Sequence, residues 1–304
     1  MPFFYCGSAL TKVRAMNTNS ESNNSSGVSR PDSAGECNAP LAPRAKRGDG
    51  RGGAAVPRLD KRTYLDKEQG RYKVVLRDYG GGLCEIGWSF VPNLLPNKAG
   101  RGNSEQKEQN EDRAVRRARS RLRQLILSAQ ADHLLTLTYR ENVTEYKQAS
   151  NDLSAFIRLV RTHLPQWAFI TVPERQKRGA WHWHLAVVGR QDVDLLRRCW
   201  RHVVGEGNID VQKPKRGKNR RLGIVAYLSK YLAKGFAEND RELNGHRYRA
   251  SLGIQVPGEL VEIPEHLRGE VSAYVLAQLQ ERAGSVGFVW VDPPLMAGWA
   301  CSWG

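Results

Sequence analysis

Between residues 133 and 236 the apolar residues switch repeatedly between a two-residue and a 3.6-residue period. That alternation confines this part of the chain to a mixed sheet-and-helix fold. Residues 133–139 alternate as a strand. In residues 151–163, Leu153, Phe156, Ile157 and Val160 recur at helical spacing. Residues 167–172 form a strand, 174–179 a polar turn and 180–188 the return strand. A helix over 192–203, a short edge strand over 209–211 and a helix over 222–236 complete the block.

The order β-α-β-β-α-β-α predicts an α+β fold: a ferredoxin- or RRM-like antiparallel sheet with helices packed on one face. Outside the block the signals thin out. Residues 1–62 are rich in Ser, Asn, Gly, Pro and Arg without periodicity and read as a disordered tail. Met16 lies inside it as an alternative start. Residues 63–104 hold a hairpin, with extended runs at 72–77 and 83–90 split by Gly80, Gly81 and Gly82, and then a linker. Residues 105–130 are helical, with Ala118, Leu122, Leu125 and Ile126 as the apolar stripe. Beyond 245 the chain reads as irregular, then helical over 264–282, then apolar over 286–291. The division expected is a tail (1–62), a hairpin and linker (63–104), a main domain (105–255) and a C-terminal helix with an apolar segment (256–304).

The formal net charge is +16, which points to a polyanionic partner. The five cysteines, Cys6, Cys37, Cys84, Cys199 and Cys301, show neither CxxC spacing nor a zinc-finger pattern, so they read as reduced thiols in a cytoplasm. No apolar run is long enough for a membrane span, and no phosphate-binding loop marks a fused ATPase.

Two clusters carry chemistry. The first is Trp181-His182-Trp183-His184-Leu185. Residues i and i+2 of a strand share a face, so His182 and His184 point together and Trp183 points away. The hairpin returns the chain so that Glu174 reaches the same side. Two imidazoles and a carboxylate suit Zn, Fe(II), Mn or Mg, and geometry alone does not choose among them. The second cluster runs from Tyr227 to Lys234. At about 100° per residue, Tyr227, Lys230, Tyr231 and Lys234 fall in one arc, opposite Val225, Leu228, Leu232 and Phe236. A free phenol has a pKa of about 10, so a tyrosine nucleophile needs positive charge beside it. Lys230 or Lys234 and a metal ion are the candidates.

Leu135-Thr136-Leu137-Thr138-Tyr139, then Glu174 with His182-Trp183-His184, then the Tyr-x-x-x-Tyr-x-x-Lys of Tyr227, Tyr231 and Lys234, stand in the order found in one enzyme superfamily. Together they resemble the HUH endonucleases, specifically the rolling-circle replication initiators. The third motif is similar to that of two-tyrosine gene A-type replication proteins of single-stranded-DNA phages. The resemblance spans about residues 105–255. It implies a replication initiation protein, a site-specific single-stranded DNA endonuclease and strand transferase that nicks through a 5′-phosphotyrosine. It also implies Mg²⁺ or Mn²⁺ held by Glu174, His182 and His184, and Tyr227 and Tyr231 as nucleophiles with Lys230 and Lys234 in support. The implied partners are a single-stranded DNA origin of a phage or plasmid, a host helicase and a polymerase.

Two basic runs would line the DNA path: Arg116, Arg117, Arg119, Arg121 and Arg123, with Arg113 nearby, and Lys213, Lys215, Arg216, Lys218, Arg220 and Arg221. Trp181 and Trp183 could stack on bases, although a core position suits Trp183 better. Two other readings stand beside this one. A single-strand transposase of the same superfamily is commonly shorter and uses one tyrosine. A non-catalytic nucleic-acid-binding module would carry aromatics where this chain carries His182 and His184.

Overall fold

The computed structural model describes residues 70–93, 107–213, 219–237, 247–294 and 296–304. The tail expected over 1–62 lies outside them. In chain order the elements are β1 (Gly70–Asp78), β2 (Cys84–Pro92), α1 (Lys107–Ser128), β3 (His133–Tyr139), α2 (Tyr146–His163), β4 (Phe169–Arg175), β5 (Trp181–Val187), α3 (Val193–Val204), β6 (Gly207–Gln212), α4 (Arg220–Ala237), β7 (Arg249–Ala250), β8 (Glu259–Pro264), a 3₁₀ segment (Glu265–Glu270), α5 (Val271–Ala283), β9 (Phe288–Asp292) and β10 (Ala297–Cys301).

The strands form two five-stranded antiparallel sheets. The central sheet has the order β6-β3-β5-β4-β7. Its register is set by alternation on β3 and β5. Leu135, Leu137, Tyr139, Trp181, Trp183, Leu185 and Val187 share one face, where α2 and α3 bring Leu153, Phe156, Leu196 and Trp200. Leu134, Ile170, Val172 and Ala186 share the other, against Leu122 and Ile126 of α1 and Ile224, Leu228 and Leu232 of α4. Helices therefore cover both faces, where the sequence pattern alone suggested one. The reason is visible on β5: every residue from Trp181 to Val187 is buried, as in a strand sandwiched between two helix layers. Trp181 and Trp183 are accordingly core residues and not a stacking surface.

The second sheet, β8-β1-β2-β10-β9, joins the early hairpin to the C-terminal strands. The hairpin turns at Gly80, Gly81 and Gly82, all with φ between 63° and 75°, a region that penalises side chains. On one face α5 packs Val271, Val275 and Leu279 against Val74, Ile86 and Ala300. The other face looks toward α1. There Glu85, only 1 % exposed, accepts hydrogen bonds from Tyr79 Oη (2.8 Å), Arg123 Nε (2.8 Å) and Trp299 Nε1 (3.1 Å). Tyr79, Leu83 and Leu127 form a small core there, with Leu222, Val225 and Trp303 packed on it. Arg221, at the start of α4, donates to the Tyr79 carbonyl at 3.2 Å. The second sheet thus braces α1 and α4, and α4 carries part of the candidate site. The segments that the sequence suggested treating separately, 63–104 and 256–304, each supply strands to this one sheet.

Candidate functional site

The site is assembled from β3, β4, β5 and α4. Glu174 lies directly opposite His182 in the β4–β5 ladder, and Thr136 directly opposite His184 in the β3–β5 ladder. These residues share the sheet face that α4 covers. Leu228 and Leu232 are buried there against the sheet, and this fixes the rotation of α4 so that Tyr227 and Tyr231 reach His184.

Contacts tie the two sequence clusters together. The Tyr231 ring stacks flat on His184, with centroids 4.1 Å apart and planes 17° apart. Tyr227 meets His184 edge-on at 5.6 Å, and Tyr231 donates its hydroxyl hydrogen to Tyr227 Oη at 3.2 Å. His184 Nε2 lies 2.7 Å from Glu174 Oε2, and His184 Nδ1 lies 3.2 Å from Thr136 Oγ1. Because a carboxylate only accepts, Nε2 carries a proton, and the Thr136 hydroxyl can either donate to Nδ1 or accept from it. Lys234 Nζ reaches Glu174 Oε1 at 3.2 Å and the Arg175 carbonyl at 2.9 Å. Lys230 lies 5.9 Å over the Tyr231 ring. Of the two lysines expected beside the phenols, Lys234 is therefore engaged by the carboxylate, and Lys230 sits over a ring face.

The electrostatics follow from burial and neighbours. Burial pushes the Glu174 carboxyl up, but hydrogen bonds and charge from His184 and Lys234 outweigh it and hold the group below its ordinary value. Desolvation, with the neighbouring His184, lowers His182 to about 4, so this imidazole is neutral at pH 7. Burial pushes the Tyr227 phenol up, aided by the Tyr231 hydrogen bond and by the charges of Tyr231, Glu174 and Asp210. A phenol in that field stays protonated unless a cation arrives.

Do these residues fit a metal ion? Among the described residues no three His, Cys, Asp or Glu side chains stand together as a ready coordination set. The donor chemistry nonetheless fits. His182 Nε2 is buried with no hydrogen-bond partner among the described residues, while its Nδ1 lies 3.3 Å from the Gln176 amide. A neutral imidazole with an orphaned buried nitrogen, beside a second imidazole and an ionised carboxylate, is a set that a divalent cation satisfies. His184 and Glu174 are hydrogen-bonded directly at 2.7 Å, so holding an ion would require His184 Nε2 to give up that proton.

The basic residues separate into groups. Arg113, Arg116, Arg117, Arg119 and Arg121 are exposed along α1. Arg123 is not available to phosphate, because it pairs with buried Glu85 at 2.8 Å and lies 4.4 Å over the Trp299 ring. Arg221 holds the Tyr79 carbonyl, whereas Lys213 and Arg220 are exposed. Lys215, Arg216 and Lys218 lie outside the described residues. Sequence reasoning assigned no role to Thr136, Gln176 or Asp210. Thr136 and Gln176 hold the two histidine rings, and Asp210 lies opposite Thr136 in the β3–β6 ladder on the site's face of the sheet. The cue for Thr136 was its place in the Leu135–Tyr139 motif, on the strand beside β5 where it stands opposite His184; no local motif marks the other two.

An α+β architecture and a tyrosine, histidine and carboxylate cluster on one sheet face define the class of site. Residues 132–236 match the model of the replication-associated protein ORF2/G2P family, which supports a replication role for the chain. The match covers roughly a third of the sequence and contains every residue of the cluster. No curated protein sequence matches the chain. Among solved structures, the hypothetical protein ORF119 from Sulfolobus islandicus rod-shaped virus 1 is similar at 11 % identity and a TM-score of 0.28, covering 41 % of this chain and 97 % of that one. A superposition that slight carries no conclusion about fold or activity. Among the described residues, no helix is long and apolar enough to cross a membrane.

Proposed function

We propose that this chain is a replication initiator that nicks single-stranded DNA at an origin and transfers the strand through a tyrosine. The observation that carries the reading is the contact between Tyr231, Tyr227 and His184, with Glu174 and Lys234 completing the cluster. The family match supports replication, and the strand order β6-β3-β5-β4 supports an HUH-type ferredoxin-like sheet.

In the proposed reaction a phenolic oxygen attacks the scissile phosphorus, and the P–O3′ bond breaks. The phenol's proton ends on the departing 3′ oxygen, and the 5′ phosphate remains esterified to tyrosine. The 3′-OH then primes a polymerase. Closing the cycle reverses the exchange with a second strand. The two tyrosine oxygens lie 3.2 Å apart, so a phosphate within reach of one is within a small shift of the other. That spacing supports alternation of Tyr227 and Tyr231 as nucleophiles. Glu174, His182 and His184 are the residues that would hold Mg²⁺ or Mn²⁺. When bound, the ion would supply the positive charge that polarises the phosphate and favours phenolate. Lys234 holds the Glu174 carboxylate against the helix, and Thr136, able to donate or accept, orients His184 in either tautomer. The exposed arginines of α1 give phosphate-tracking charge beside α4.

The test is to mix the full chain with end-labelled single-stranded origin fragments and Mn²⁺ and to look for a protein–DNA adduct that survives denaturant. The adduct is expected. Retention of the strand without any adduct would instead identify a binding module.

A further inference from the structure

The two sheets have four outer edges, and three are protected against pairing. β8 carries Glu259 and Glu262, both ion-paired, and ends in Pro264. β6 presents exposed Asn208, Asp210 and Gln212, and β7 is two residues long. Charge, proline and shortness are the ordinary means by which an unpaired strand edge is kept from templating another strand. The fourth edge, β9, has none of them between Phe288 and Val291. Its Phe288, Val289, Trp290 and Val291 are each between 41 % and 50 % exposed.

Their exposure arises on both faces. Trp290 stands opposite Trp299 and lies on the face that looks toward α1, while Val289 stands opposite Ala300 on the α5 face. Arg123 covers Trp299, and α5 covers Ala300, but neither layer shields the strand beyond. A ligand stacking on one face would account for Phe288 and Trp290 and leave Val289 and Val291 in water. An added strand buries all four, because its side chains extend both faces at once.

We infer that β9 is the contact between two copies of this chain, paired antiparallel across a two-fold axis near Trp290. The strand that pairs best must itself be apolar on both faces and free of charge over four residues. Among the described edge strands, β9 alone has that character. The two-fold arrangement sets Trp290 against Trp290 of the partner subunit, a cross-strand aromatic pair. It places each Asp292 opposite a phenylalanine at the outer ends, so the two carboxylates stay apart, whereas a parallel pairing would align them. The contact is closed, since each copy has one such edge among its described strands, and it extends the outer sheets into a single ten-stranded sheet. Each copy carries +16, so long-range repulsion opposes the pairing, and salt should strengthen it. Nucleic-acid binding responds to salt in the opposite sense.

The experiment is sedimentation of the full chain over a range of concentrations in low and high salt, with Trp290→Lys and Val291→Lys alongside. The expected result is a concentration-dependent dimer, favoured by high salt, that either lysine weakens at least about tenfold: Trp290→Lys sets like charges against each other at the axis, and Val291→Lys sets an ammonium group against an apolar valine of the facing strand. Trp290→Cys should form a disulfide-linked dimer on mild oxidation, because the two-fold axis places the position against itself. That arm does not depend on the lysine variants folding. A wild type that stays monomeric throughout, or a dimer indifferent to both lysines, overturns the inference. So does a Trp290→Lys that weakens single-strand binding without changing sedimentation; that result would make β9 a base-stacking edge.

Discussion

Replacing Glu85 by alanine tests whether the second sheet is a structural brace for the site. Glu85 is 1 % exposed and accepts from Tyr79, Arg123 and Trp299. Removing it leaves the Arg123 guanidinium without its carboxylate in a setting where its side chain is 18 % exposed. Breaking a buried ion pair from one side costs about 3–5 kcal/mol. Partial access to water and the Trp299 ring, 4.4 Å away, relieve some of the charge, so the low end, about 3 kcal/mol, applies. For a chain of this size that corresponds to a fall in melting temperature of about 6–12 °C. Glu85→Gln keeps an acceptor and should lose only about 1–2 kcal/mol. The double variant Glu85→Ala/Arg123→Ala should be less destabilised than the two single changes added together, since it removes the orphaned charge. Urea unfolding followed by tryptophan fluorescence measures the wild type and the four variants, Arg123→Ala among them. A Glu85→Ala protein within about 0.5 kcal/mol of wild type, or strict additivity in the double variant, would refute the account of this interface.

The remaining predictions concern the site. EDTA should abolish cleavage and Mn²⁺ or Mg²⁺ restore it, while His182→Ala and His184→Ala should lose cleavage and keep single-strand binding. Activity of either variant near the wild-type level excludes them as ligands. His182 has a folded-state pKa of about 4 against an ordinary 6.5, so between these values only the unfolded chain takes the proton. Stability should therefore be full above pH 6.5 and fall as the pH drops toward 4, by up to about 3 kcal/mol, and His182→Ala should flatten that part of the profile. Single-strand affinity should fall with salt at a slope of about −0.7 per neutralised phosphate, and replacing Arg116, Arg117, Arg119 and Arg121 with alanine should make it shallower. An unchanged slope would mean that α1 is only solvated.

Much of the central block could be read from the sequence because its signals are local. The periods of 151–163 and 222–236 mark α2 and α4, and Gly80, Gly81 and Gly82 mark the β1–β2 turn. His182 and His184 were legible because strand pleating alone puts them on one side. What escaped depends on contacts between residues far apart in the chain. Nothing near Arg123 says that Glu85, at 1 % exposure on another sheet, will hold it, so an arginine-rich helix reads as wholly phosphate-facing. The joining of β1 and β2 to β8, β9 and β10 is likewise invisible locally, because the pairing partners lie across the whole central block. The cover on both faces of the central sheet was missed for a different reason. β5 alternates tryptophan with histidine, and a buried histidine looks polar in sequence although His184 is only 4 % exposed.

The central claim is that Tyr227 and Tyr231 are the nucleophiles of a nicking reaction, and the direct measurement is covalent adduct formation by Tyr227→Phe, Tyr231→Phe and the double variant. Each protein is incubated with labelled single-stranded DNA and Mn²⁺, denatured and resolved, and the DNA-bearing peptide is mapped. Because the two hydroxyls are 3.2 Å apart over one carboxylate–histidine pair, each single variant should still form an adduct, on its remaining tyrosine. Strand joining through a complete cycle should fail in both, and the double variant should be inert. If one single variant loses every adduct while the other cleaves and completes the cycle, there is one nucleophile and alternation is wrong. An adduct in the double variant would contradict the claim outright, since the phosphate would then be held by a residue other than Tyr227 and Tyr231.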